Sequence, residues 1–133
     1  MSLVSRKGLL AITAVLDVAI HSDGRPVSAK ALAARNTLPP RHLEPILQGL
    51  VRAGILKGIR GPRGGYELGR ERKQITTEDI LRATQILEDA EVPALGSPLL
   101  DRVVLPAIAE AERLFSGSLS RISIADLEVR SSA

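Results

Sequence analysis

Arg60-Gly61-Pro62-Arg63-Gly64-Gly65-Tyr66 puts a tight turn, two guanidinium groups and an aromatic side chain into one short stretch, with apolar segments on both sides. The glycines can take the positive φ that a sharp turn needs, and Pro62 holds φ at the value suited to a turn's second position. Ile55 to Ile59 before it and Tyr66 to Leu68 after it read as short β segments, so the stretch is the tip of a hairpin. Its exposed chemistry is cationic. From these residues alone two readings are open: a tip that touches something anionic, or a solvated Gly-rich turn whose arginines serve solubility.

Charge is unevenly spread around this hairpin. From Arg41 to Lys73, the cations Arg41, Arg52, Lys57, Arg60, Arg63, Arg70, Arg72 and Lys73 stand against Glu44, Glu67 and Glu71, a balance of +5; the whole chain carries +3, so the rest sums to −2. A basic middle within a slightly acidic remainder suggests a localised anion-binding face, and double-stranded DNA is the obvious polyanion. Aromatic residues are only 2% of the chain, which argues against a base-stacking platform for single strands. The absence of cysteine excludes disulfides, thiolate metal sites and cysteine-ligated iron-sulfur clusters. No apolar run approaches the roughly 20 residues of a membrane span, and the N-terminus lacks a signal-peptide core, so a cytoplasmic protein without membrane partners is expected. With 133 residues, 44% of them apolar, the chain can form one domain with an aliphatic core and an appended helix for assembly. There is no nucleophile and base pair, no metal constellation and no Walker-type ending, which argues against an enzyme.

Taken in order, Ser5 is placed to cap a helix to about Ile20, with Leu9, Ile12, Leu16 and Ile20 as its buried stripe. Arg6 and Lys7 fall in its first turn, where cations oppose the helix dipole unless an anion lies near. His21 to Gly24 ends this helix, with Gly24 a candidate left-handed cap. Pro26 and Val27 are extended, and Ser28 caps a short helix to about Arg35 that turns Ala31, Leu32 and Ala34 inward. Asn36 is the expected left-handed stop. Pro39 and Pro40 open a third helix, with Leu43, Ile46, Leu47 and Leu50 inward and Gly54 at its end; Pro45 should either distort it locally or delay its start to as late as Arg41. The pair forms a helix-turn-helix candidate whose second helix exposes Arg41, His42, Glu44, Gln48 and Arg52. Helix, turn, helix and hairpin is the winged-helix order.

Thr76 with Asp79 forms a capping box, and Ile75 staples to Ile80, opening a helix to about Glu88 that buries Ile80, Leu81, Thr84 and Leu87. Residues 89–98 lack helical period and read as a linker between a body, 1–88, and a tail, 99–133. In the tail, Leu100, Val104, Ala107, Ala111 and Leu114 form a stripe widened by Val103, Ile108 and Phe115, with Pro106 bending the helix near Arg102 or breaking its first turns. The stripe is wider than a small domain needs, which suggests pairing with a second copy; folding back onto its own domain is the alternative. Ile122 to Leu127 repeats the staple and capping box before a last short helix.

These segments together resemble the Rrf2 family of bacterial winged-helix regulators. The resemblance is carried by Ser5-Arg-Lys-Gly8, Pro26-Val-Ser28, Leu43-Glu44 with Leu47, Gly54-Ile-Leu56, Arg60 to Tyr66, Ile75 to Ile80, and Ile122 to Leu127. It implies a mainly α fold with a small β-hairpin wing, a winged helix-turn-helix plus a long C-terminal dimerisation helix. It also implies a homodimer that binds a partly palindromic operator in double-stranded DNA and acts as a transcriptional repressor. Carried over by position, Arg41 and Glu44 lie on the recognition helix and Arg60 enters the minor groove. Such roles suit the chemistry, since Arg bridges guanine acceptors, Glu accepts from the cytosine amine, and a narrow minor groove attracts a guanidinium. Arg6, Lys7, Ser28, His42, Gln48 and Arg63 complete the expected DNA-contacting set. Leu100, Val104, Ala107, Ile108, Ala111, Leu114 and Phe115 make the expected dimer face.

One departure from the family pattern bears on sensing. Cluster-bearing members place three cysteines in and around the loop corresponding to 89–98, and this chain has none, so neither an iron-sulfur cluster nor another cofactor is expected. Glu88, Asp89 and Glu91 read as a charged helix end rather than a cation site. The signal, whether a small effector, a protein partner or none, stays open. The second functional reading is a winged-helix module that binds a protein partner and touches DNA only weakly.

Overall fold

The computed structural model describes residues 3–84 and 96–132. Its centre is α1 (Arg6–His21), which starts as expected where the Ser5 hydroxyl accepts a hydrogen bond from the Gly8 N–H at 3.1 Å. The face it buries differs from expectation. Gly8, Ala11, Ala14, Val15, Val18 and Ala19 turn inward, whereas Leu9 is 48% and Ile20 38% exposed, and Ile12 and Leu16 reach only the margin of the core. The cause is steric: α1 is packed on by α2, α3, β2, α4 and α6, and a slender face of small residues lets all of them approach.

The helix-turn-helix follows. Ser28 caps α2 (Ala29–Arg35) by accepting from Ala31 N–H, and Leu32 and Ala33 are buried. Ala34, expected inward, is exposed instead, because the buried face of so short a helix is set by Leu32 and its neighbour. The left-handed residue of the turn is Thr37 at φ 52°, one position later than expected. Asn36 keeps φ −102° because its side chain is engaged elsewhere. In α3 (Pro40–Arg52), Leu43, Ile46, Leu47 and Leu50 are all at most 3% exposed. Pro45 sits inside this helix on its exposed side, and the helix continues through it to Arg52 although the proline offers no backbone donor.

Gly54, at φ 75°, turns the chain into β1 (Leu56–Ile59), which pairs antiparallel with β2 (Gly65–Leu68); Leu56 lies opposite Leu68 and Ile59 opposite Gly65. The tip closes with a hydrogen bond from Gly64 N–H to the Gly61 carbonyl, Pro62 taking the second turn position. Two glycines here are required by close approach. A Cβ at Gly64 would stand 2.1 Å from the Ile59 carbonyl oxygen, and one at Gly65 2.4 Å from the Val27 carbonyl oxygen. The second contact exists because Val27 and Tyr66 exchange backbone hydrogen bonds at 2.9 and 2.8 Å, fastening the wing to the extended segment before α2.

Both expected capping boxes form, Thr76 with Asp79 at α4 (Thr77–Ala83) and Ser123 with Asp126 at α6 (Ile124–Ser131). They also meet: Thr77 N–H donates to the Ile122 carbonyl at 2.9 Å and Ile124 N–H to the Ile75 carbonyl at 2.8 Å. Ile75, Ile80 and Ile124 are fully buried, so α6 packs into the same core as α1 and α3. The Ser123 N–H and hydroxyl hold the Asp126 carboxyl below its ordinary pKa. Leu87, the expected end of α4 at Glu88, and 89–95 of the linker fall outside the described residues.

The tail is helical from Pro98 and continues as α5 (Leu105–Ser120). Between them, Leu100–Val104 form a wider π turn, with Leu105 N–H reaching back to the Leu100 carbonyl. In place of the bend or break expected from Pro106, the helix widens ahead of it, because the proline ring cannot follow a regular turn over the Arg102 carbonyl.

Candidate nucleic-acid interface

At 100° per residue, Arg41, Glu44, Gln48 and Arg52 share the outward side of α3, directly opposite its buried stripe, and all are exposed. His42 is also exposed but stands about a quarter-turn aside. The two flanks of α3 are built differently. On one, the wing stands against Val51 across a groove of about 490 Å³ lined by Ile59, Arg60, Gly61 and Tyr66. On the other, the first turn of α1 brings Lys7 to a cleft shared with Pro45, Gly49 and Arg52. Thus the structure gathers Arg41, Glu44, Gln48, Arg60 and Lys7 around one helix. Arg63 is exposed at the wing tip and Arg6 in the first turn of α1, while Ser28 is exposed at the cap of α2, its oxygen already accepting from Ala31.

Pairing divides the basic middle of the chain into two groups. Arg70 reaches the Ala53 carbonyl at 3.0 Å and Asp79 at 3.9 Å, and Arg72 pairs with Glu128. Arg41, Arg52, Arg60 and Arg63 have no ion-pair partner among the described residues. The charges that tie the fold together are therefore distinct from those that surround α3. Tyr66 is half-buried against the core and bonded to Val27, an anchor for the wing.

Sequence reasoning missed the clamp that ties the end of α2 to α1. Asp17, on the buried face of α1 and 6% exposed, accepts from Arg35 Nε at 3.1 Å, Arg35 Nη2 at 2.8 Å and Asn36 Nδ2 at 2.9 Å. Asn36 also donates to the Leu32 carbonyl. Burial alone would raise the Asp17 pKa, but the hydrogen bonds from Arg35 and Asn36, with the charges of Arg35 and His21, outweigh it and hold the carboxyl below its ordinary value. The bidentate geometry fixes the end of α2 on α1, and with it the turn leading into α3. The available signal was an acid at the inward helical position between Ala14 and Val18. Arg52 was legible as an exposed residue but was not counted among the contacts.

Along α5, Val104 is 46%, Ile108 53% and Leu114 72% exposed, and Ala107 and Ala111 are exposed too; Leu100 and Phe115 are half-buried. The end of the helix folds back onto the domain, where Leu119 is buried and its carbonyl accepts from the Thr77 hydroxyl at 2.6 Å.

The family model described as an iron-dependent transcriptional regulator, Rrf2, matches residues 4–129. The chain belongs to the Rrf2 family. A Synechocystis protein named as an HTH-type transcriptional regulator is 37% identical over 128 residues, covering 93% of this chain and 86% of its own length. IscR of Vibrio atlanticus is 39% identical over 87 residues, covering 65% of this chain, and a Haemophilus influenzae regulator is 42% identical over 80, covering 60%. This chain spans about half the length of those two relatives (50% and 53%). Among solved structures, the Bacillus subtilis global cysteine regulator CymR superposes with a TM-score of 0.76 at 31% identity over 98% of both chains. T. potens IscR gives 0.78 at 30%, over 99% of this chain and 89% of its own. The winged-helix fold expected of an Rrf2 member is therefore present, and these relatives are named as regulators, not enzymes.

No cysteine exists to ligate a cluster, and among the described residues no group of three His, Asp or Glu side chains could hold a metal ion. Likewise, among the described residues no helix is long and apolar enough to cross a membrane.

Proposed function

We propose that this Rrf2 protein is a cytoplasmic, sequence-specific transcriptional repressor that binds a partly palindromic operator as a homodimer. In this reading the outward face of α3 lies in the major groove, with Arg41 and Glu44 at base edges and His42 and Gln48 beside them. Arg60 enters the adjacent minor groove, and Arg63, Arg6, Lys7 and Ser28 contact phosphates. A second copy covers the apolar face of α5, which otherwise leaves Ile108 and Leu114 in water. The winged body and α5 thereby divide the work, one reading DNA and the other pairing subunits. The observation that carries the reading is the set of unpaired cations and polar side chains placed around α3, while neighbouring arginines are consumed by internal pairs.

Selecting bound fragments from a genomic DNA pool tests it. The expected result is enrichment of a few fragments sharing a partly palindromic site, bound with a log–log salt slope of about −0.9 per neutralised phosphate. No enrichment over bulk DNA, or affinity that does not change with salt, would favour a protein-binding module instead.

A further inference from the structure

A cleft of about 270 Å³ opens where α1, α3 and α4 meet, bounded by Lys7, Pro45, Gly49, Arg52, Ala83 and Thr84. Two cations face it from different helices, and among the described residues no carboxylate lines it and neither cation has an ion-pair partner. Elsewhere, an arginine lying against a neighbouring element is answered by an acid, as Arg35 is by Asp17 and Arg72 by Glu128. Among the described residues, no acid answers the two cations here. The Arg52 guanidinium lies near Gly49, where α3 faces the last turn of α4; a Cβ there would stand 4.0 Å from Arg52 Nη2 and 3.5 Å from the Ala83 carbonyl oxygen, in ordinary contact with both. Lys7 sits in the first turn of a 16-residue helix with no acid in that turn, so its charge opposes the dipole. Thr84 adds no free donor, its hydroxyl being bonded to the Ile80 and Leu81 carbonyls. An anion between Lys7 and Arg52 would relieve both the mutual repulsion of the cations and the conflict with the dipole.

We propose that this cleft seats one phosphate-type oxyanion, gripped jointly by Lys7 and Arg52. Two sources supply that chemistry: a backbone phosphate of the bound duplex, which rests on the DNA-binding reading above, and a free phosphate-bearing small molecule, which does not. Either occupant would sit against the flank of α3 and the end of α4.

Lys7→Gln, Arg52→Gln and the double variant separate these sources. For a duplex phosphate, the double variant should flatten the salt slope of operator binding by about 0.9 in all, and neither single variant by more than that, because one phosphate is shared. For a free anion, the slopes stay unchanged, while inorganic phosphate added at constant ionic strength shifts the Gly49 and Thr84 amide resonances of the wild-type protein and not of Arg52→Gln. If no duplex is bound but those resonances still shift, the seat stands and the operator reading falls. A slope loss well above about 0.9 in the double variant would mean two separate contacts and overturn the shared seat. Unchanged slopes with no phosphate response would overturn the seat altogether.

Discussion

Helices α3 and α5 are both amphipathic and both contain a proline, yet they stand in opposite relations to the core. In α3 the apolar stripe from Leu43 to Leu50 is sealed against the chain's own helices, and Pro45 lies on the exposed side with the helix continuing through it. In α5 the apolar face from Val104 to Leu114 remains in water, and Pro106 is accommodated by a widened turn at Leu100–Val104. Similar periodicity can therefore serve a partner within the chain or a partner outside it. What separates them is whether the rest of the sequence supplies a complementary face. The segments around α3 do so through α1, α2 and β1, whereas α5 meets the body mainly through α4.

Substitutions at equivalent places should expose that difference. The largest effect is expected for Leu114→Glu: if α5 pairs two copies, each carboxylate brought unpaired into the interface costs about 3–5 kcal/mol, and sedimentation should find monomers. A retained dimer would place the interface elsewhere. Leu47→Ala should cost about 2–5 kcal/mol in urea unfolding, because it opens a cavity in a closed core. By contrast, Leu114→Ala in dilute protein should stay within about 0.5 kcal/mol, since its side chain is already solvated in the single chain. Equal losses at the two leucines would erase the contrast between the helices.

A smaller effect attaches to the clamp between α1 and α2. Asp17→Asn should lose about 1.5–3 kcal/mol at neutral pH, the worth of hydrogen bonds to a charged group. The pH dependence has a defined sign. The folded-state pKa of Asp17 is depressed, so its contribution is present above the ordinary carboxylate value of 3.8 and is lost as pH falls below that value through the folded pKa. Thermal melts of wild type and Asp17→Asn should therefore converge in acid and separate toward neutrality; a constant gap across this range would remove Asp17 from that role. The smallest of these effects is Ser123→Ala, about 1 kcal/mol for a lost helix cap. Chemical unfolding is the measurement, and no change would mean that the box opening α6 is dispensable.

Strong local chemistry was legible in the sequence. The capping boxes at Thr76 and Ser123, the cap at Ser5, the inward stripe of α3 and the hairpin each follow from a few neighbouring residues whose stereochemistry leaves little choice; the site disturbed by Pro106 was legible too, but not that it would become a π turn. The inner face of α1 was not legible, because hydrophobicity favours Leu9, Ile12, Leu16 and Ile20, whereas a crowded helix is placed by what fits. Small residues win there, and the large ones move to the rim. The turn before α3 shifted by one residue for a related reason. Asn36 suits a left-handed position, but its amide is taken by Asp17, a partner 19 positions away in the chain, and Thr37 makes the turn. At the candidate interface, residue types and helical spacing marked Arg41, Glu44, Gln48 and Arg60. Only the packing of α1 beside α3 reveals that Lys7 and Arg52 share a cleft.

The most direct test of the operator reading is an anisotropy titration of a selected genomic fragment with wild type, Arg60→Ala and Arg70→Ala. Arg60 is unpaired beside α3, whereas Arg70 is occupied by the Ala53 carbonyl and Asp79. Loss of about 1–3 kcal/mol for Arg60→Ala, with Arg70→Ala binding as wild type does, is the predicted result. Unchanged affinity for Arg60→Ala, or the same loss for both, would contradict a wing arginine that reads the groove.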